Sequence, residues 1–173
     1  MAPVAKHWHR SLGCACDHGR ESMEKTEELL REKRASGGGE MNAAMARGME
    51  LEPSARAAYC NQLGKVVEPA CLESLQYPWM RASVDGISVC GSHLVEIKCG
   101  ESVYRKTAAA RYPPDYYVGQ LQHALAVTGL EAMDFWCFLP YRPSVHVVVR
   151  RDKSYITRLI DTERRFYERH FTC

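Results

Sequence analysis

The chain has 173 residues, 46% of them hydrophobic and 25% charged, the length and composition of one folded domain and not of a chain disordered throughout. Its formal net charge of +2 is too small to imply a polyanionic partner, so local patches must carry any such argument. No apolar run is long enough for a transmembrane helix, and the first residues lack the apolar core of a secretory signal.

Eight cysteines, at 14, 16, 60, 71, 90, 99, 137 and 173, follow no regular framework. They are expected as reduced thiols in a cytoplasmic protein with no membrane partner. Residues 1–21 read as an irregular, poorly ordered segment, and residues 22–173 as a single domain. Cys14, Cys16 and His18 invite a zinc reading, but their spacing is not one of the paired patterns and no second pair stands nearby. Glu21 to Ala35 reads as a charged helix that stops at Ser36-Gly37-Gly38-Gly39.

A second helix is expected from an N-cap at Asn42 to Tyr59. Glu52 follows Met45 and Met49 at i+7 and i+3, so it is placed on the inward side, beside a kink at Pro53. A carboxylate there requires a partner. Short strands are expected at Val66–Pro69 and Trp79–Val84, with Asp85-Gly86 as the turn into a strand over Leu94–Lys98. Residues 101–115 read as a basic, mobile segment carrying Arg105, Lys106 and Arg111 and closed by Pro113-Pro114. Tyr116–Thr128 is a helix with an arc of Tyr117, Val118, Leu121, Ala124 and Leu125, ended by Gly129. Phe135–Leu139 and Val145–Val149 form a hairpin, and Ser154–His170 is a last helix with Arg158, Arg164, Arg165 and Arg169 on its polar face. The order predicts an α/β (α+β) domain around one mixed sheet.

Alternation in Leu94-Val95-Glu96-Ile97-Lys98 sets Glu96 and Lys98 on one face and Val95 and Ile97 on the other. An acid and a lysine together in an apolar strand, with Asp85 shortly before, suit divalent-metal phosphodiester hydrolysis. Mg²⁺ takes hard oxygen ligands. Asp85, Glu96 and the Ile97 carbonyl can supply them, and Glu52 can serve a second ion or a ligating water. Lys98 can hold the attacking water. Each piece alone has a plainer reading. E-x-K is commonly a solvated pair, D-G a turn, and Gln120 a hydrogen-bonded amide at a core edge.

Five segments in order resemble the YqaJ-like viral recombinase family, which includes phage lambda exonuclease and belongs to the PD-(D/E)xK nuclease superfamily. They are Arg47–Tyr59 around Glu52, Ala82-Ser83-Val84-Asp85-Gly86-Ile87, Leu94–Cys99, Tyr116–His123 around Gln120, and Val127-Thr128-Gly129 with the aromatic strand after it. Val84 and Gly100 stand where the family often has proline, and residues 1–21 hold no good match to its basic opening segment.

The resemblance implies a restriction-endonuclease-like core, a central mixed sheet flanked by helices. It implies a Mg²⁺-dependent 5′→3′ exonuclease, with Mn²⁺ as a substitute ion, that resects double-stranded DNA ends for single-strand-annealing recombination. Asp85 and Glu96 match the metal ligands, Lys98 the catalytic lysine, Glu52 the additional acid and Gln120 the active-site glutamine. A phage annealing protein, a homotrimer and a bacterial host cytoplasm are the implied setting. An iron–sulfur cluster is not expected, since no tight late group of cysteines follows Cys137. The alternatives are an endonuclease of the same superfamily and a non-catalytic DNA-binding remnant, for which Arg105, Lys106 and Arg111 would grip phosphates.

Overall fold

The structure, a computed structural model, describes residues 43–171. The expectations for residues 1–42, including the first helix, the Asn42 cap and the Cys14, Cys16 and His18 group, lie outside that range, as does Cys173. In chain order the elements are α1 (Ala43–Leu63), β1 (Val67–Glu73), β2 (Arg81–Ser88), β3 (Leu94–Lys98), α2 (Glu101–Ala110), α3 (Asp115–Thr128), β4 (Ala132–Cys137), β5 (Val145–Arg150) and α4 (Lys153–Phe171). The sheet runs β1-β2-β3-β4-β5. All neighbours are antiparallel except β3 and β4, which α2 and α3 connect in parallel. Among the described residues no helix is long and apolar enough to cross a membrane.

Two apolar layers hold helices to the sheet. On one face Leu94, Phe135, Cys137 and Val147 pack with Val103 of α2, Leu121, Ala124 and Leu125 of α3 and Ile156 of α4. On the other face Val67, Val95, Ile97 and Trp136 pack with Ala55 and Tyr59 of α1. The helix Asp115–Thr128 carries the expected arc, and Gly129 ends it at φ 73°, its N–H bonded to the Leu125 carbonyl at 2.9 Å. The β4–β5 hairpin also stands as the alternation required.

Three expectations are corrected. Residues 101–110 form helix α2 and not a mobile segment: Val103 and Thr107 are buried one turn apart, and Glu101 complements the helix N-terminus. Asp85 and Gly86 lie inside β2, and the chain reverses later, through Gly91 at φ 72°. Met49 is 53% exposed, so the inward side of α1 is carried by Ala55 and Tyr59 instead.

Gly86 is required by close approach. A Cβ there would sit 2.7 Å from both Val67 Cγ2 and Val95 Cγ1, one from each flanking strand. Beside it the β1–β2 register slips: Glu68 faces Ile87 and Ala70 faces Val84, so Pro69 alone opposes Asp85 and Gly86. Such a bulge bends the strand and re-aims its side chains. Gly86→Ala is expected to lower stability by about 1–3 kcal/mol through overpacking, read as a lower denaturation midpoint at unchanged m-value.

His123 ties three elements together. Its Nδ1 lies 2.8 Å from a Glu163 carboxylate oxygen on α4, and its Nε2 lies 2.9 Å from the Arg81 carbonyl of β2. Burial works to lower the imidazole pKa, but the bond and charge of Glu163 outweigh it and hold the pKa above its ordinary value. The stability His123 contributes is therefore fully present below the ordinary imidazole pKa and is lost as pH rises through the raised folded value. His123→Gln is expected to cost about 2 kcal/mol in mildly acidic solution, with a smaller difference from the native chain at alkaline pH. Urea unfolding across pH measures it.

Candidate active site

Gly86 pairs with Val95 and Ile87 with Leu94, and there the β2–β3 ladder stops. Continuing the register would set Ile97 opposite Val84. Instead the Asp85 carboxylate takes the Ile97 N–H, Oδ2 accepting it at 2.7 Å. A side chain thus replaces a backbone carbonyl as partner of a buried N–H, and the two strands part.

The flanking elements aim polar groups at this opening. From α1, Arg56 donates from Nε to the Asp85 carbonyl at 2.8 Å and pairs through Nη2 with Glu52, one turn away. From β3, Glu96 is buried at 2% exposure, and its Oε1 accepts from both Lys98 and Gln120, the latter at 2.6 Å from α3. The Lys98 ammonium also lies 4.9 Å from the Tyr117 ring centroid, a favourable cation–aromatic contact. Glu52, Asp85, Glu96, Lys98 and Gln120 are therefore brought together, with Ile97 between them.

The electrostatics follow from this crowding. Burial raises the Glu96 pKa to about 7, Lys98 opposing the shift and Asp85 adding to it. For Lys98 burial acts to lower the pKa, yet Glu96 and Asp85 outweigh it and keep the ammonium charged. Burial and then Asp85 raise Glu52, with Arg56 pulling it back. Among the described residues no three His, Cys, Asp or Glu side chains form a ready metal cage; Lys98 and Arg56 are instead paired with the acids.

Arg105, Lys106 and Arg111 are exposed on α2 and its C-cap. Arg105 is 3.8 Å from Glu101, and Lys106 lies 5.2 Å from the Tyr116 ring. Of the two glutamines on α3, Gln122 serves structure. It donates to the Arg150 carbonyl and accepts from the Asp152 N–H, both at 2.9 Å.

Sequence reasoning missed three contributors. Arg56 was readable as the i+4 partner of Glu52. Tyr117 was assigned only to the helix arc. Asp134 left one signal, an acid inside the apolar strand Met133-Asp134-Phe135-Trp136. It is buried on the opposite face, where Oδ2 accepts from Tyr59 Oη at 2.5 Å and Lys65 Nζ at 2.8 Å, and Oδ1 from His146 Nε2 at 2.9 Å. Tyr59 follows Glu52 and Arg56 on α1, so Asp134 pins the helix that carries them.

A bulged strand, an acid at its splay and an acid–lysine pair on the next strand define a nuclease core of the PD-(D/E)xK kind. The YqaJ-like viral recombinase domain model matches residues 12–131, and the chain belongs to that family. Two crystal structures of an alkaline exonuclease from Laribacter hongkongensis (LHK-Exo) are similar. One is 28% identical with a TM-score of 0.76, covering 89% of this chain and 81% of the other. The other, in complex with dAMP, is 27% identical with a TM-score of 0.69, covering 85% and 83%. A phage-related exonuclease from Haemophilus somnus 129PT shares the fold at 14% identity and a TM-score of 0.62, covering 82% and 77%. No curated protein matches. The chain is a nuclease.

For Asp134, burial acts to raise the pKa, but bonds from Lys65, Tyr59 and His146 prevail and lower it. Its contribution is fully present above the ordinary carboxyl value and is lost as pH falls through the depressed one. Asp134→Ala is expected to cost about 3 kcal/mol near neutral pH by leaving a buried hydroxyl and a half-buried ammonium unpaired, with a smaller deficit in acid, as chemical denaturation at both pH values would show.

Proposed function

We propose that the chain is a divalent-metal-dependent exonuclease that resects the ends of linear double-stranded DNA, 5′→3′, leaving a single strand for annealing-type recombination. The observation that carries the reading is the junction at which Asp85 caps the Ile97 N–H beside the Glu96–Lys98 pair. Family membership supports the exonuclease class, and so does the likeness to LHK-Exo.

The donor set fits a hard cation. Asp85 uses Oδ2 to hold β3, and Glu96 receives both of its hydrogen bonds on Oε1. Among the described residues each acid therefore keeps its second oxygen for another partner. In a strand the N–H and C=O of one residue point to the same edge, so the Ile97 carbonyl faces the opening that its N–H faces. Asp85, Glu96 and the Ile97 carbonyl would hold the ion, Mg²⁺ by the hardness of these oxygens, with Glu52 serving a second ion or a ligating water. Bound there, the ion supplies charge neutralisation and a lowered pKa for water. A buried acid with its pKa raised to about 7 gains its full charge when a cation is added to the site.

The protein's own groups do the rest. Lys98, kept charged by Glu96 and seated over Tyr117, is placed to orient the attacking water and to balance negative charge as the phosphorus gains its fifth oxygen. Gln120 fixes the Glu96 carboxylate from the α3 side. Arg56 holds Glu52 against β2 and offsets its charge.

Linear duplex with labelled ends, incubated with and without Mg²⁺, tests the reading. The native chain is expected to release nucleotides from linear but not closed circular DNA, and EDTA is expected to abolish release. Glu96→Ala, Asp85→Ala and Lys98→Ala should each reduce the rate by at least about a hundredfold. Retained activity in Lys98→Ala overturns the mechanism; cutting of closed circles makes the enzyme an endonuclease.

A further inference from the structure

A groove of about 370 Å³ opens where α2 gives way to α3, lined by Lys106, Tyr112, Pro113, Pro114, Asp115 and Tyr116. It is rigid by construction. Arg111 ends α2 in the left-handed region at φ 52°, its N–H bonded to the Thr107 carbonyl at 2.8 Å. A non-glycine residue holds that conformation only where its surroundings impose it. The Pro-Pro pair that follows has fixed φ angles, and Pro113 is buried. Even so, the aromatic groups along this groove stay open to solvent: Tyr116 is 59% exposed and Tyr112 46%.

A relay of side-chain contacts links the groove to the active site. Lys98 lies 4.9 Å from the Tyr117 ring centroid, the Tyr117 and Tyr116 centroids are 4.6 Å apart, and Lys106 lies 5.2 Å from that of Tyr116. Cation, ring, ring and cation thus lead outward from the catalytic lysine. Its charge pattern also suits one kind of occupant. Lys106 and Asp115 both line the groove, so its charges balance and it accepts a flat uncharged group. Asp115 repels phosphate, whereas Lys106 attracts it.

We propose that this groove is a subsite for an unpaired nucleotide of the DNA strand held at Lys98, its base stacked on Tyr116 and its phosphate on Lys106. The proposal rests on the nuclease reading for its occupant. Ring faces are available for stacking only to a base that has left the duplex, and such contacts are tolerant of sequence. The subsite thereby favours a frayed end over a closed one and lets the enzyme proceed through any sequence.

Equilibrium binding by fluorescence anisotropy, in EDTA so that no strand is cut, tests it with two labelled probes: a blunt duplex and the same duplex with a forked, unpaired end. The native chain is expected to prefer the fork. Tyr116→Ala should weaken fork binding by about tenfold and blunt binding far less, while Tyr116→Phe, which keeps the ring, stays near native. Lys106→Ala should reduce the salt dependence of fork binding by about one phosphate contact. Fork affinity unchanged in Tyr116→Ala overturns the proposal. So does a change in sedimentation with DNA affinity intact, which would make the groove a protein contact. The nuclease reading fails separately: a native chain that shows this binding pattern but digests nothing with Mg²⁺ sinks the enzyme and keeps the subsite. A native chain that digests DNA while Tyr116→Ala binds the fork normally sinks the subsite alone.

Discussion

A hydrogen bond from the Ile97 N–H to the Asp85 carboxylate, made where a backbone carbonyl would ordinarily stand, opens the sheet and creates the site. The buried N–H must find an acceptor, and once a side chain provides it the strands no longer have to run side by side. The bulge opposite Pro69 turns β2, and Gly86 lets β1 and β3 close in behind the turn. The proposed site is gathered at the parting of β2 from β3. The acid that holds the strands apart is also the acid proposed to ligate the ion, so that proposal couples position and reactivity in one residue.

Charge is balanced on both sides of the sheet, in two different ways. At the opening, Glu96 is buried against Lys98 and Gln120, and the half-buried Glu52 pairs with Arg56, leaving carboxylate oxygens with capacity for a further positive partner. On the opposite face Asp134 is saturated by Tyr59, Lys65 and His146. A saturated carboxylate has no bond to offer a ligand, and its place is structural. An under-neutralised one in a low-dielectric setting is the arrangement expected of a binding or catalytic group. The contrast separates the acids proposed for the chemistry from the supporting acid on physical grounds.

The readable parts of the fold were those with an unambiguous period. Leu121, Ala124 and Leu125 marked α3, and alternation in Val145–Val149 marked β5. Helix α2 escaped because its buried contacts are only Val103 and Thr107 among charged and small residues, so composition suggested a loose basic stretch. The Asp85-Gly86 pair was misplaced as a turn because that dipeptide suits a turn equally well. Its real cause is the absence of room between Val67 and Val95, which no local pattern encodes. Met49 looked inward by spacing but lies at an uncovered part of α1.

The sequence alone determined which residue types were available and in what order: two acids and a lysine around β3, an acid ahead of them, a glutamine behind, and a mixed sheet to carry them. Alternation also placed Glu96 and Lys98 on one face, since that follows from strand geometry. Only the tertiary structure decided that Arg56 answers Glu52 and Asp85, that Lys98 rests on Tyr117, and that Gln120 donates to Glu96. Those outcomes depend on how helices from opposite faces meet a gap between two strands, and contacts between residues far apart in the chain leave no period to read.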